Sequence, residues 1–123
     1  MEIVYKSDKI EISVTQLGML GNNVYVLASD SEQALVDPAC NPDQILESVN
    51  NKLDKILLTH YHWDHVRALA SVCKATHAKT YASVLDAPFI EDPEQAPLYR
   101  KTDPCKIDIK LKDGDEVAIG STT

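Results

Sequence analysis

Hydrophobic and polar positions alternate through the first third of the chain and then give way to helical spacing. Ile10, Ile12 and Val14 alternate with polar residues, which predicts a half-buried strand. The stretch LGMLGNN (17–23) carries two glycines and two asparagines and predicts a turn. VYVLAS (24–29) and QALVD (33–37) flank the polar SDSE (29–32), and together they predict a hairpin. Asn41-Pro42-Asp43-Gln44 predicts a helix start. Asn41 would cap, Pro42 suits the first helical position, and Gln44 stands where a capping box needs it. Ile45, Val49 and Leu53 lie four apart and predict one helical face. KILLT (55–59) is a short, continuous apolar run, which predicts a fully buried strand parallel to a neighbour.

Beyond residue 65 the pattern continues in the same alternation of elements. Val66, Leu69, Ala70 and Cys73 fall at i, i+3, i+4 and i+7 and predict an amphipathic helix. KTYAS (79–83) predicts a strand, and the proline-rich, acidic DAPFIEDPEQAP (86–97) a loop with one turn of helix. KIDIKLKDGDEVAIG (106–120) alternates Ile107, Ile109 and Leu111, turns at Asp113-Gly114 and returns with Val117 and Ile119, which predicts a second hairpin. Strands followed by β-α-β-α-β predict an α/β sandwich in a single domain, residues 1–123. There is no internal repeat and no inter-domain linker.

Composition narrows the field of partners. The net charge of −7 and pI near 4.9 disfavour nucleic acid and anionic membranes, which usually require a basic surface. No apolar run approaches the roughly 20 residues that span a bilayer. Cys40, Cys73 and Cys105 are odd in number and show no CxxC, so free thiols are expected instead of a disulfide framework. Cys73 reads as a small buried hydrophobe on its helix. A soluble, cytoplasmic protein is the expectation.

The chemistry concentrates in THYHWDH (59–65), which holds three of the four histidines. Four good metal ligands, His60, His62, Asp64 and His65, stand between a buried strand and a helix. The carboxyl end of a strand is where an α/β sheet presents ligands. His60 and His62 are two apart, so an extended segment points both rings the same way. Asp64 and His65 open the helix and can aim at a second point nearby. Imidazole and carboxylate donors suit zinc, with iron or manganese as alternatives. Tyr61 and Trp63 read as packing beneath the loop, and His77 as a solvated turn residue.

HYHWDH matches the HxHxDH signature of the metallo-β-lactamase superfamily. KILLTH, NNVYVLASDSEQALVDPA and LKDGDEVAIG also resemble that family's first half, especially glyoxalase II-like hydrolases, so the likeness spans roughly residues 12–120. The resemblance implies the αββα sandwich fold, of which this chain would cover the first ββαβ-type half. It implies that His60 and His62 help bind one metal and that Asp64 and His65 help bind the second. Asp37 would orient the ligands from behind, and Asp64 would also orient the nucleophile. Such enzymes commonly hold two zinc ions and use a metal-bound hydroxide to cleave small-molecule thioesters, lactones or similar substrates.

The chain departs from the family pattern in three places. Ala39 stands where a glycine often follows the DP of the first hairpin, and Arg67 and Ala68 stand where glycines often follow the motif. Arg67 reads as an exposed helix residue, with contact to an anionic substrate as the alternative. The family's later ligands, two histidines and a bridging aspartate, have no counterpart in these residues. The resemblance therefore implies the N-terminal part of a longer hydrolase, inactive alone, whose sheet leaves an apolar face and an edge uncovered. Two other readings share the motif. One is a mononuclear iron, persulfide dioxygenase-like member of the superfamily. The other is a non-catalytic, self-associating module with a vestigial metal loop, which leaves a homo-oligomer open.

Overall fold

The structure is a computed structural model that describes residues 1–96 and 102–123. Among the described residues, seven strands form one sheet in chain order. β1 (Glu2–Lys6), β2 (Glu11–Leu17), β3 (Asn22–Ser29) and β4 (Glu32–Val36) pair antiparallel. β5 (Lys55–Leu57), β6 (Lys79–Ser83) and β7 (Ile109–Leu111) continue the sheet in parallel from β4. Parallel neighbours need a crossover connection, and helices occupy each one. These are α1 (Pro42–Ser48), then α2 (Trp63–Val66) with α3 (Leu69–Thr76), then α4 (Ala87–Glu91) with one 3-10 turn at Pro93–Gln95.

The core lies between the sheet and these helices. Val26, Leu35 and Ile56 stand side by side across β3, β4 and β5. Ile45 and Val49 from the first crossover, Leu69 and Val72 from α3, and Ala87 and Ile90 from α4 close over them. The register brings Thr80 beside Ile56, and its buried hydroxyl is satisfied by donating to the Lys106 carbonyl (2.8 Å) and accepting from the Asp108 N–H (2.9 Å). The other face of the sheet carries Ile12, Val14, Tyr25, Leu27, Val36 and Leu57, all half-buried and none in the core cluster. β1 forms one edge, and all of its residues are exposed.

The α/β class, the hairpin at β3–β4 and the parallel pairing of β5 agree with the hydrophobic pattern. β5 is not fully buried, because its Leu57 lies on the half-buried face of the sheet. Four further local expectations also differ. Asn41 precedes α1 in a left-handed conformation (φ 53) and its side chain makes no capping hydrogen bond, so the capping box is absent. Asparagine is tolerated there because its short polar side chain suits that region. α1 ends at Ser48, and Asn50 and Asn51 turn the chain with φ of 54 and 56, so Leu53 is buried from a loop and not from the helix.

The predicted helix over Val66–Cys73 is split, because the Ala68 N–H donates to the Pro38 carbonyl (3.0 Å) instead of a helical partner. The break turns Ala68 and Val72 inward and leaves Ala70 and Cys73 half-buried. The second hairpin is absent among the described residues. Residues 115–118 carry no strand; β7 pairs with β6 alone and Ile119 bridges to Thr122. The end of the stretch 86–100, Pro97 to Arg100, lies outside the described residues.

The return segment is held elsewhere. Lys55 Nζ donates to the Ala118 carbonyl and pairs with Glu32 Oε1 at 2.6 Å. The Gly120 N–H donates to Glu32 Oε2 (2.8 Å). The Lys55 hydrogen bond, followed by that of Gly120, holds the Glu32 carboxyl below its usual range. Two paired side chains, Lys55 and Glu32, thus fix residues 118–120 at the end of the sheet formed by the β3–β4 turn and the start of β5.

Gly120 is required there for two reasons. Its φ of +56 disfavours side chains, and a Cβ would collide with the Ser29 carbonyl. Gly21 has φ +62 with open space around it. Gly21→Ala should cost about 1 kcal/mol from backbone strain, and Gly120→Ala about 2–4 kcal/mol because the clash adds to it. Urea denaturation of the two variants checks this, and equal losses would show that the close approach is not there.

Candidate metal centre

The opposite end of the sheet gathers the groups with metal-binding chemistry. β4 ends at Val36 and delivers Asp37, which is 4% exposed and left-handed (φ 54). β5 ends at Leu57 and delivers Thr59 and His60. Asn22, the first residue of antiparallel β3, stands at the same end.

Asp37 accepts hydrogen bonds from three donors. The Thr59 N–H reaches Oδ1 (2.8 Å), and the Thr59 hydroxyl (2.5 Å) and His65 Nδ1 (3.0 Å) reach Oδ2. These bonds determine the proton positions on two rings. An ionised carboxylate only accepts, so His65 Nδ1 carries its proton. The Thr59 hydroxyl spends its single proton on Asp37 and therefore accepts from His60 Nδ1 at 2.8 Å. Both rings are Nδ1–H tautomers, and each keeps a lone pair on Nε2 for an electrophile.

Asp64 faces one of those nitrogens, with Oδ2 3.7 Å from His65 Nε2. Two donors on one tetrahedral zinc, each about 2.1 Å from it, stand roughly 3.4 Å apart, so this spacing fits a shared ion. The Asn22 amide fixes Asp64 by donating to its backbone carbonyl (2.7 Å) and to Oδ2 (3.0 Å). Burial raises the Asp64 carboxyl, but the Asn22 hydrogen bond, a backbone hydrogen bond, His65 and His60 outweigh it. The pKa stays below the usual value and the group stays charged. The His60 ring lies 4.5 Å from that of His62 and 4.2 Å from that of His65.

The four sequence-predicted ligands therefore lie close together at this end of the sheet, but they are not held alike. Donor atoms of Asp37, His60 and His65 fall within 4.8 Å of one another, a set that chemically suits a divalent metal. Within that set Asp37 is the poorer ligand, because three hydrogen bonds already occupy its oxygens. It fits better as the group that orients both imidazoles. Asp64 is pinned beside His65, whereas His62 is exposed at the start of α2. Thr59 and Asn22 were not singled out from the sequence. Thr59 adjoins the motif, and Asn22 lies in the turn-forming LGMLGNN, but only the fold brings them to Asp37 and Asp64.

The neighbouring aromatics and the substituted glycines also find places. Tyr61 packs against the core and the Phe89 ring (4.8 Å between centroids). The Trp63 ring lies 5.4 Å below the Arg67 guanidinium. Arg67 is exposed and helical (φ −58, ψ −39) and Ala68 has φ −94, so neither position needs a glycine. Ala39 is buried with an ordinary backbone. His77 is exposed at the left-handed end of α3, as a turn residue should be.

Residues 17–122 match the family described as the metallo-beta-lactamase superfamily. The chain belongs to that superfamily. It is 35% identical over 96 residues to a hydroxyacylglutathione hydrolase of Cereibacter sphaeroides, across 76% of this chain and 32% of that protein. It is 30% identical over 107 residues to the probable polyketide biosynthesis zinc-dependent hydrolase BaeB of Bacillus velezensis, across 83% of this chain and 43% of that protein. The subclass B3 metallo-beta-lactamase BJP-1 of Bradyrhizobium japonicum superposes with a TM-score of 0.73 at 26% identity, over 98% of this chain and 49% of that one. The chain thus spans about a third to a half of the length of these proteins. No helix among the described residues is long and apolar enough to cross a membrane.

The electrostatics of this superfamily member give a pH signature. Burial, then the charges of His65 and His62, hold the His60 pKa below its ordinary value against the pull of Asp37 and Asp64. An unfolded histidine protonates near 6.5. Between that pH and the lower folded value, the unfolded state binds the extra proton, so stability falls as pH drops below about 6.5. Urea midpoints of the metal-free chain should decline from pH 7 to pH 5, less steeply in His60→Gln. Parallel profiles would contradict this origin.

Proposed function

We propose that these residues form the metal-binding half of a dinuclear zinc hydrolase acting on small-molecule thioesters of the hydroxyacyl-glutathione kind. The observation that carries the reading is the hydrogen-bonded chain His60–Thr59–Asp37–His65, which frees both Nε2 lone pairs beside an ionised Asp64. His60 and His62 would hold one ion, and Asp64 and His65 the other. When bound, such ions acidify water, polarise a carbonyl and stabilise the developing oxyanion. Zinc suits imidazole and carboxylate donors, and it is the metal named for the Bacillus velezensis relative. The thioester class follows the hydroxyacylglutathione hydrolase relative.

The residues of this chain have separable tasks in that reading. Asp37 orients both imidazoles from behind and never meets the substrate. Asn22 keeps the Asp64 carboxylate in position and charged, so that Asp64 can accept a hydrogen bond from the attacking water and align it. Tyr61, packed on Phe89, keeps the loop seated on the core. Catalytic zinc normally has three protein ligands, and this assignment gives each ion two. The third would come from the further length that the relatives possess.

Zinc titration of the chain against a competing chelator tests the assignment. Saturable, weak binding is expected, and Asp37→Asn should weaken it by roughly 10–100-fold. Hydrolysis of a hydroxyacyl-glutathione thioester by these 123 residues alone should be absent. Undetectable zinc binding, unchanged affinity in Asp37→Asn, or turnover by the isolated chain would contradict the proposal.

A further inference from the structure

Two of the three free thiols, far apart in the sequence, meet on the far side of α3 from the sheet end that carries the metal loop. Cys73 lies on α3, and Cys105 lies in the segment that leads into β7. Both are half-buried, both pack on the edge of the core, and both line one open cavity of about 520 Å³. Each sulfur has a fixed seat, since the Cys73 thiol donates to the Ala78 carbonyl and the Cys105 thiol to the Lys106 carbonyl, each at 3.6 Å. Cys40, the third thiol, lines a different cavity beside Trp63 and Arg67.

We propose that Cys73 and Cys105 form a reversible disulfide by exchange with a low-molecular-weight disulfide. Their shared cavity is open to such a reagent. Lys74 and Lys106 on its wall favour an anionic one, with Asp108 partly offsetting them. In the first step Cys73, as thiolate, attacks one sulfur of the reagent RSSR. A Cys73–S–S–R bond forms, the S–S bond of the reagent breaks, and one thiolate leaves. In the second step Cys105, as thiolate, attacks the Cys73 sulfur and expels the second thiolate. The two protons lost by the protein thiols end on the two released small thiols. One small disulfide has been reduced and the protein pair has been oxidised.

The order of attack follows from the environment of the two sulfurs. Burial first, then the charge and hydrogen bond of neighbouring Cys73, push the Cys105 thiol up to about 12. Cys105 is therefore a poor first nucleophile. Capping Cys73 as a mixed disulfide keeps a thiolate from forming beside Cys105, so the second thiol then ionises without a neighbouring negative charge. Burial holds Cys105 in its thiol form, which fits first attack by Cys73 and resolution by Cys105. The product would tie α3, which directly follows the helix bearing Asp64 and His65, to the strand lead-in beside it.

The test equilibrates the reduced, unmutated chain with graded oxidised and reduced glutathione, alkylates the remaining thiols and maps peptides by mass spectrometry. The expected result is a Cys73–Cys105 crosslink appearing at about a tenfold lower concentration of oxidised glutathione than modification of Cys40. The same treatment in denaturant should scatter the pairings among all three cysteines. In Cys105→Ser, glutathione should remain attached to Cys73 as a trapped mixed disulfide. The proposal is overturned if Cys73 and Cys105 both stay alkylatable where Cys40 is modified. It is also overturned if each carries its own glutathione, or if the native crosslink involves Cys40. The native-chain arm decides the matter even if the serine variant fails to fold.

Discussion

The carboxylate of Asp37 is the point at which the two halves of this fold are joined. It leaves β4 in a left-handed conformation that costs a non-glycine residue roughly 1–2 kcal/mol, and it is almost wholly buried. A buried carboxylate without partners would be far more costly. Here three donors from the β5 loop and α2 meet it, so the charge that must be compensated is also what aligns the loop. The main chain reinforces the junction on both sides. The Asp37 N–H extends the parallel ladder to the Leu57 carbonyl (3.1 Å), and the next residue, Pro38, accepts from Ala68 (3.0 Å). The same contact breaks the helix after the motif and sets the direction in which α3 leaves.

This arrangement separates support from chemistry by the two ends of one sheet. The end with the β3–β4 turn is closed by Lys55, Glu32 and Gly120, where paired charges and a glycine fasten the returning chain. The other end presents ring nitrogens and a carboxylate, with Asp64 Oδ2 3.7 Å from His65 Nε2. Their pKa directions agree with that division. His60 resists protonation and Asp64 resists neutralisation, so both remain in the form that binds a cation.

Much of this was readable in the sequence because its signals are local. Alternation at Ile12 and Val14, the apolar KILLT run and six residues dense in ligands need no knowledge of distant partners. The misread places depend on such partners. Asn41 looks like a cap by spacing, yet its backbone conformation is left-handed. Val117 and Ile119 alternate as a strand would, yet Lys55 and Glu32 take up the backbone groups of residues 118 and 120. Val66 to Cys73 keeps helical spacing across a break made by Pro38, many residues earlier. Thr59 and Asn22 are ordinary residues in any one-dimensional reading and become informative only beside Asp37 and Asp64. The meeting of Cys73 with Cys105 is likewise invisible without the crossover through α4.

The account stands on proton positions, because the orientation of His60 and His65 follows from which ring nitrogen each hydrogen bond occupies. Long-range nitrogen–proton correlation NMR of the metal-free chain, above pH 7, reads those tautomers directly. Both rings should be protonated at Nδ1 and unprotonated at Nε2. A predominantly Nε2–H tautomer at either residue would contradict the Asp37-anchored chain and the metal-site assignment built on it.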